Sequence, residues 1–220
     1  MSTVVITGAN RGIGLEITKL LVQRGAKVTA LCRQSSTELN ALDVRIEEGV
    51  DVTSDDVVDV LPKLLAGTQI DLLINNAGLL EMNSLRELGL ESIRRQFEVN
   101  ALGPLKVIAA LKKQMNAPSK AVFITSRMGS IADNTSGGMY GYRASKAALN
   151  MFAMSAAHDL SRQNVAVGIL HPGFVQTDMT GGNGNVGPAE AAKDLVARMD
   201  ELSMETSGQF LHASGEVLPW

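Results

Sequence analysis

A doubly wound α/β domain, about seven parallel strands flanked by helices, is the architecture this sequence predicts. Short aliphatic runs alternate with longer stretches of helical spacing, the signature of strand–helix–strand units. A glycine run closes the first aliphatic segment. The length, 220 residues, suits one large domain and is short for two, so a single domain over 1–220 is expected.

Strands buried on both faces read as continuous aliphatic stretches. They are predicted near 3–7, 27–32, 45–50, 70–75, 120–125, 165–170 and 208–212. The first helix follows Gly12, with Ile13, Ile17, Leu20 and Leu21 at helical spacing and Gly25 as its stop. Further helices are predicted over 54–66, 88–116, 143–162 and 188–202. The stretch 178–188 holds Gly181, Gly182, Gly184 and Gly187, which predicts a short mobile loop.

Composition excludes several functions. A net charge of −3 argues against nonspecific nucleic-acid binding. Apolar residues make up 45% but aromatics only 4%, so the core is aliphatic. The lone Cys32 rules out an intramolecular disulfide and fits a reducing compartment. No run is long enough to span a bilayer, and the start Met1-Ser2-Thr3-Val4-Val5-Ile6 lacks the basic region of a signal peptide. Cytoplasmic location without membrane contact is the expectation. His158, His171 and His212 share no metal-ligand spacing, so no metal is expected.

The run Thr7-Gly8-Ala9-Asn10-Arg11-Gly12-Ile13-Gly14 stands between a strand and a helix. Glycines there let the backbone turn and approach a pyrophosphate, while the helix start offers free N–H groups. A tight turn between packed elements is the plainer use of the same residues. Where an acid would meet a ribose 2′-hydroxyl there is none: no Asp or Glu occurs from Ile17 to Thr37. Arg11 and Arg33 supply cations instead, which suits the 2′-phosphate of NADP(H); as ordinary solvated arginines they would mean nothing.

Reducing a carbonyl requires a proton donor matched to the working pH. A free tyrosine, near 10, is too reluctant. A lysine ammonium one helical turn away favours the phenolate, and Tyr142 and Lys146 have that spacing. Tyr140 does not, because Ala144 stands four residues on. Ser126 ends the apolar run 121–125, where a hydroxyl can face a ligand outside a strand's carboxyl end; bonding its own loop is the plainer role. Pro104 deprives the Asn100 carbonyl of its helical partner, predicting a kink there and an acceptor able to hold a water.

Taken in order, Thr7-Gly8-xxx-Gly12-x-Gly14, Asn75-Asn76-Ala77-Gly78, Asn100, Ser126, Tyr142-xxx-Lys146 and Pro172-Gly173 with Thr177 resemble the short-chain dehydrogenase/reductase family over essentially the whole chain. The resemblance implies a Rossmann-type fold with Tyr142 as acid/base and Ser126 polarising the carbonyl. Lys146 would lower the tyrosine pKa and hold the nicotinamide ribose, and Asn100 would order a relay water. It implies that Gly8, Asn10, Arg11, Gly12, Ile13, Gly14 and Arg33 meet the cofactor phosphates. Asp51 and Val52 would meet adenine, Asn76, Ala77 and Gly78 would line the cofactor, and Thr177 would hold the carboxamide beside Pro172, Gly173 and Val175. The long Ser126-to-Tyr142 connection and the Leu218-Pro219-Trp220 ending are similar to the sniffer-like and C-factor-like carbonyl reductases.

The abbreviated loop after Thr177 predicts an open site for a bulky or varied small-molecule carbonyl compound. Met139 and Met179 flank it as pocket candidates, whereas Met151 and Met154 read as core. The helix 143–162 is small or apolar nearly all round, so one face is expected against a partner subunit. Family resemblance points the same way, to a homodimer or tetramer through helices 88–116 and 143–162. Two rivals stand beside a carbonyl reductase. A 3-oxoacyl carrier-protein reductase would use a basic patch, and Arg94, Arg95, Lys106, Lys112 and Lys113 offer one. A C-factor-like signalling protein would bind nucleotide with little turnover.

Overall fold

The computed structural model describes residues 2–220, so the start of the proposed domain at Met1 lies outside the described residues. Side chains alternate across a strand, and the central strands here are apolar at both phases. Val4, Ile6, Ala30, Ile74, Val122, Ile124 and Leu170 feed one core layer. Their neighbours Val5, Leu31, Leu73, Phe123, Val167 and Ile169 feed the other. A sheet with two apolar faces must be covered twice, which is why helices lie on both sides.

The strands are β1 (Thr3–Thr7), β2 (Lys27–Leu31), β3 (Arg45–Glu47), β4 (Ile70–Asn75), β5 (Met115–Ile124), β6 (Val165–His171) and β7 (Phe210–His212). They form one parallel, seven-stranded sheet in the order β3-β2-β1-β4-β5-β6-β7. Helices α1 (Gly12–Gln23) and α7 (Pro188–Glu201) pack together on one face. On the other face lie α3 (Val57–Leu64), α4 (Leu90–Phe97), α5 (Gly103–Leu111) and α6 (Tyr140–Ser161). The strand order reverses between β1 and β4, and a crevice opens there at the carboxyl ends. This is a Rossmann-type fold. Among the described residues no helix is long and apolar enough to cross a membrane.

Several boundaries depart from expectation. A one-turn helix, α2 (Thr37–Asn40), follows β2 because the Ser36 hydroxyl accepts from Leu39 N at 3.1 Å. β3 stops at Glu47, two residues before Gly49 takes a φ of 75°. β5 starts at Met115, which pairs with Ile70. The register then shifts before Leu72 meets Lys120, and that irregularity takes in Pro118, which has no N–H to give.

The helix expected over 88–116 is broken. α4 passes into a π-turn at Glu98–Leu102, where Gly103 N donates to Glu98 O, before α5 resumes and ends in a 3-10 turn at Lys112–Gln114. Pro104 is the cause, since a helix missing one N–H is relieved by a wider turn. The kink expected at Asn100 is thus a π-bulge. The expected helix 143–162 begins three residues earlier, at Tyr140, and ends at Ser161.

The loop 178–188, the stretch expected to be mobile, carries backbone hydrogen bonds to its flanks and within itself. Gln176 N donates to Val186 O at 3.0 Å, Asn185 N to Phe174 O at 2.7 Å, and Gly182 N to Thr177 O at 2.9 Å. Its glycines serve geometry: Gly181 and Gly182 take φ of 61° and 79°, where a side chain would be strained.

Candidate active site

The crevice is framed first by the glycine loop. Gly8 and Gly12 have positive φ, 66° and 55°. At Gly14 a Cβ would collide with Gly8 O and Asn76 Nδ2, so the helix can start this close to β1 only with glycine there. Asn76 braces the loop rather than merely lining it. Its Nδ2 donates to Thr7 O at 3.1 Å and Gly8 O at 2.9 Å, while Asn76 N and Ala77 N both donate to Thr7 Oγ1 at 3.1 Å. Asn10 and Ile13 stand on the loop, both partly buried. Thr177 comes over it, its Cγ2 3.6 Å from where a Cβ on Gly12 would be.

The cationic corner is only partly as expected. Arg11 caps α1 with an extended backbone, but its guanidinium reaches across the mouth to Asp178 at 3.5 Å. Both groups are exposed, so this pair is weak and a phosphate would displace it. Arg33 is exposed and makes no ion pair among the described residues. Asp51 is held below the usual carboxylate range, chiefly by the Thr53 N–H at 2.9 Å. The Thr53 hydroxyl, Arg33 and Lys106 add to that effect. Val52 is buried against Gly103.

The reacting end is set by α6, packed against β6 and against the 3-10 turn that follows β5. Gly129, in the 3-10 turn after Ser126, lies so close that a Cβ would stand 2.7 Å from the Lys146 carbonyl carbon. Lys146 is buried, with Nζ donating to Ile124 O at 2.9 Å and 5.8 Å from the centre of the Tyr142 ring. Burial lowers its ammonium to about 8. Burial also pushes the Tyr142 phenol up to about 12, with the Ser126 hydroxyl pulling the other way. The Lys146 ammonium stands where its spacing predicts, one turn along the helix, but burial is the larger influence on the phenol of the free protein. Tyr142 is therefore protonated at neutral pH, the form that donates a proton.

Asn100 is fully buried in the π-turn, its side chain spoken for. Oδ1 accepts from Leu79 N at 2.7 Å, and Nδ2 donates to Leu79 O at 2.7 Å and Ser145 Oγ at 3.0 Å. Ser145 in turn donates to Tyr142 O at 2.8 Å. The side chain therefore ties the chain after β4 to the turn of α6 that bears Tyr142. Both ends of the Asn100 amide are thus engaged within the fold.

Sequence reasoning missed how α6 begins. Its first residue follows Met139, which has φ 49° and provides no side-chain cap. The cap comes from elsewhere: Asn83 Oδ1 accepts from Gly141 N at 3.3 Å and from Gln96 Nε2 at 2.9 Å, and Asn83 O accepts from Met139 N at 3.0 Å. No sequence pattern marks a loop amide that caps a helix 58 residues away.

Of the pocket candidates, Met179 Cε lies 3.7 Å from where a Cβ on Gly78 would be, and Met139 sits beside the Tyr142 turn. Pro172, Gly173 and Val175 follow β6, Gly173 with φ 91° and Val175 buried in a bridge to Val186. Exposed Met82, Leu85, Ile131 and Phe174 all stand on loops beyond strand carboxyl ends, giving the crevice an apolar rim. His171 is held neutral, pushed down to about 3 by burial and by the nearby His212, Arg127 and Lys146. That fits a structural histidine. Cys32 is buried and its thiol raised, so it is no reactive thiol.

A family model described as short chain dehydrogenase matches residues 2–185. The chain is 43% identical, over the full length of both, to a 1-hydroxy-2-glutathionyl-2-methyl-3-butene dehydrogenase from Rhodococcus sp. (strain AD45). Its structure resembles the carbonyl reductase Sniffer of D. melanogaster, with a TM-score of 0.89 at 26% identity over all of both chains. It also resembles a carbonyl reductase from Pseudomonas aeruginosa PAO1 in complex with NADP, with a TM-score of 0.88 at 31% identity over all of both chains.

The buried lysine leaves a signature in stability. Lys146 holds its proton to about 8 when folded, against 10.5 for an ordinary lysine. Between those values the unfolded chain binds more protons, so stability rises with pH there, and the ammonium is a cost at neutral pH. In Lys146→Met, urea denaturation will lose the rise between pH 8 and 10, and a rise unchanged from wild type would place the titrating group elsewhere.

Proposed function

We propose that this chain, which belongs to the short-chain dehydrogenase family, is an NADPH-dependent reductase of small-molecule carbonyl compounds. It is an oxidoreductase of that family; the cofactor phosphate, the substrate class and the direction are our reading. What carries it is the buried, protonated Tyr142 facing Ser126, with Lys146 one turn along α6.

The residues present fit a dinucleotide. Gly8 and Gly12 turn the backbone at positive φ, the start of α1 has no side-chain cap on its N–H groups, and Arg33 offers an uncommitted cation just beyond β2. The NADP complex of the Pseudomonas relative supports the phosphorylated form. Bound there, the cofactor supplies a hydride. Asn76 and Thr7 fix the loop that holds it, and Thr177 closes over Gly12. A substrate oxygen between Ser126 Oγ and Tyr142 Oη accepts a hydrogen bond from the serine and then the phenolic proton. The Lys146 ammonium steadies the phenolate left behind, and a water on the Asn100 carbonyl would return the proton. The apolar rim favours a bulky, weakly polar carbonyl compound.

The basic patch of the carrier-protein reading is in part paired with acids. Arg94 pairs with Glu91, Arg95 with Glu81 at 2.8 Å, and Lys106 with Asp55 at 2.7 Å. Lys112 and Lys113 lie just before β5, at the end of the sheet away from the crevice. A second reading does have support: the Rhodococcus relative is named as a dehydrogenase of a glutathionylated alcohol. The same residues would serve oxidation with Tyr142 ionised as the base.

In single turnovers and steady state, NADPH oxidation will proceed with ketones, diones or quinones. The rate will hold through neutral pH and fall above about 8 as Lys146 loses its proton. Tyr142→Phe will lower it by about a hundredfold or more. Turnover confined to glutathione-thioether alcohols with oxidised cofactor would select the second reading. Cofactor binding without turnover on any of these would leave the signalling role.

The outer face of α6 presents Ala144, Met151 and Ser155 to solvent, with Ala147, Ala148 and Phe152 only half covered. That face supports a homodimer, or a tetramer, through α4–α6. Sedimentation at micromolar concentration will show a dimer or larger that Met151→Glu shifts toward monomer; a wild-type monomer would refute the assembly.

A further inference from the structure

We propose that Glu48 sets how strongly this chain prefers a 2′-phosphorylated dinucleotide, its own carboxylate occupying the backbone donor that the phosphate would take. The inference rests on the reading of the crevice as a dinucleotide site.

In such a fold the ribose 2′ position is read about 20 residues after the glycine loop, just past the second strand. Here that is the turn Arg33–Ser36, which begins where Gly8 N donates to Leu31 O at 3.0 Å. The turn has few donors. The Ser35 hydroxyl donates to Asn40 Oδ1 at 2.7 Å, whereas the Ser36 hydroxyl accepts from Leu39 N. The Arg33 guanidinium, the Ser36 O–H and the Ser35 N–H remain as donors. That N–H donates to Glu48 Oε1 at 2.6 Å.

Glu48 is held at this place by backbone, not chance. Gly49 N donates to Arg33 O at 3.2 Å and Val50 N to Cys32 O at 3.1 Å, so the chain around Glu48 is stitched to the turn. The nearby Cys32 thiol senses the same carboxylate, which adds to burial in raising it. The acid absent from the end of β2 is therefore supplied by the neighbouring strand connection.

The consequences follow from charge. A carboxylate at this corner accepts a hydrogen bond from a ribose 2′-hydroxyl and repels a 2′-phosphate. Arg33 does the reverse. The chain thus carries both recognition elements at one corner, and the wild type will bind NADP+ with only a modest advantage over NAD+. Glu48 is exposed and packs nothing, so its replacement changes the corner and not the fold.

The test is calorimetric titration of the protein without substrate, using NADP+, NAD+, 2′,5′-ADP and 5′-AMP. Glu48→Gln should tighten NADP+ and 2′,5′-ADP about three- to tenfold, the effect of removing one like charge near a surface. It should leave NAD+ and 5′-AMP unchanged or weaker, and Arg33→Gln should move the ratio the opposite way. A ratio of NADP+ to NAD+ affinity unchanged within about twofold in Glu48→Gln, or equal tightening of all four ligands, would overturn the inference while leaving the dinucleotide site intact. A wild type that binds none of the four would overturn both.

Discussion

Burial of Tyr142 and Lys146 at the start of α6 is the constraint on which the rest of the site depends. Water is excluded from both groups, and each is thereby pushed toward its neutral form, the phenol up to about 12 and the ammonium down to about 8. The molecule holds this unfavourable pair by backbone contacts that leave little freedom. Gly129 presses on the Lys146 carbonyl, Nζ is anchored on Ile124 O, and Asn100 with Ser145 fixes the Tyr142 turn. Removing water at this point also strengthens any charge interaction made there during reaction.

The fold delivers this pair to the one place where a cofactor can meet it. Strand order reverses between β1 and β4, so the connections that follow them part and open a crevice. The glycine loop occupies one side, with Asn76 bridging it to the end of β4. Ser126 and the α6 residues occupy the other, at the end of β5. The loop after β6 folds back, bringing Thr177 over Gly12 and Met179 toward Gly78. Four strand ends thus contribute to a single cleft.

Much of this was legible in the sequence, for identifiable reasons. Aliphatic runs marked the inner strands, because a sheet covered on both faces needs apolar side chains on both, whereas the edge strand β3, Arg45-Ile46-Glu47, has a single aliphatic residue. The Tyr142–Lys146 spacing and the glycine run were legible because each imposes a local geometry. Pro104 announced a disturbance at Asn100, although whether it would be a kink or a π-turn depends on packing. Interactions between distant segments left no trace: Asn83 capping α6, Asn76 bracing Gly8, Glu48 reaching Ser35. Spacing likewise reveals the cation near the phenol but not the loss of water around both groups, which depends on packing.

Burial keeps Tyr142 protonated in the protein without cofactor, in the form that gives a proton to a carbonyl oxygen. The chain has two tyrosines, so Tyr140→Phe leaves Tyr142 as the only one. Ultraviolet titration of its phenolate, with and without NADP+, is therefore the most direct measurement. No phenolate is expected below pH about 10.5 in the free protein, where a free tyrosine near 10 would already be mostly ionised, and the positively charged nicotinamide of NADP+ beside the phenol would move its titration down. Phenolate appearing near neutral pH in the free protein would contradict this role of burial.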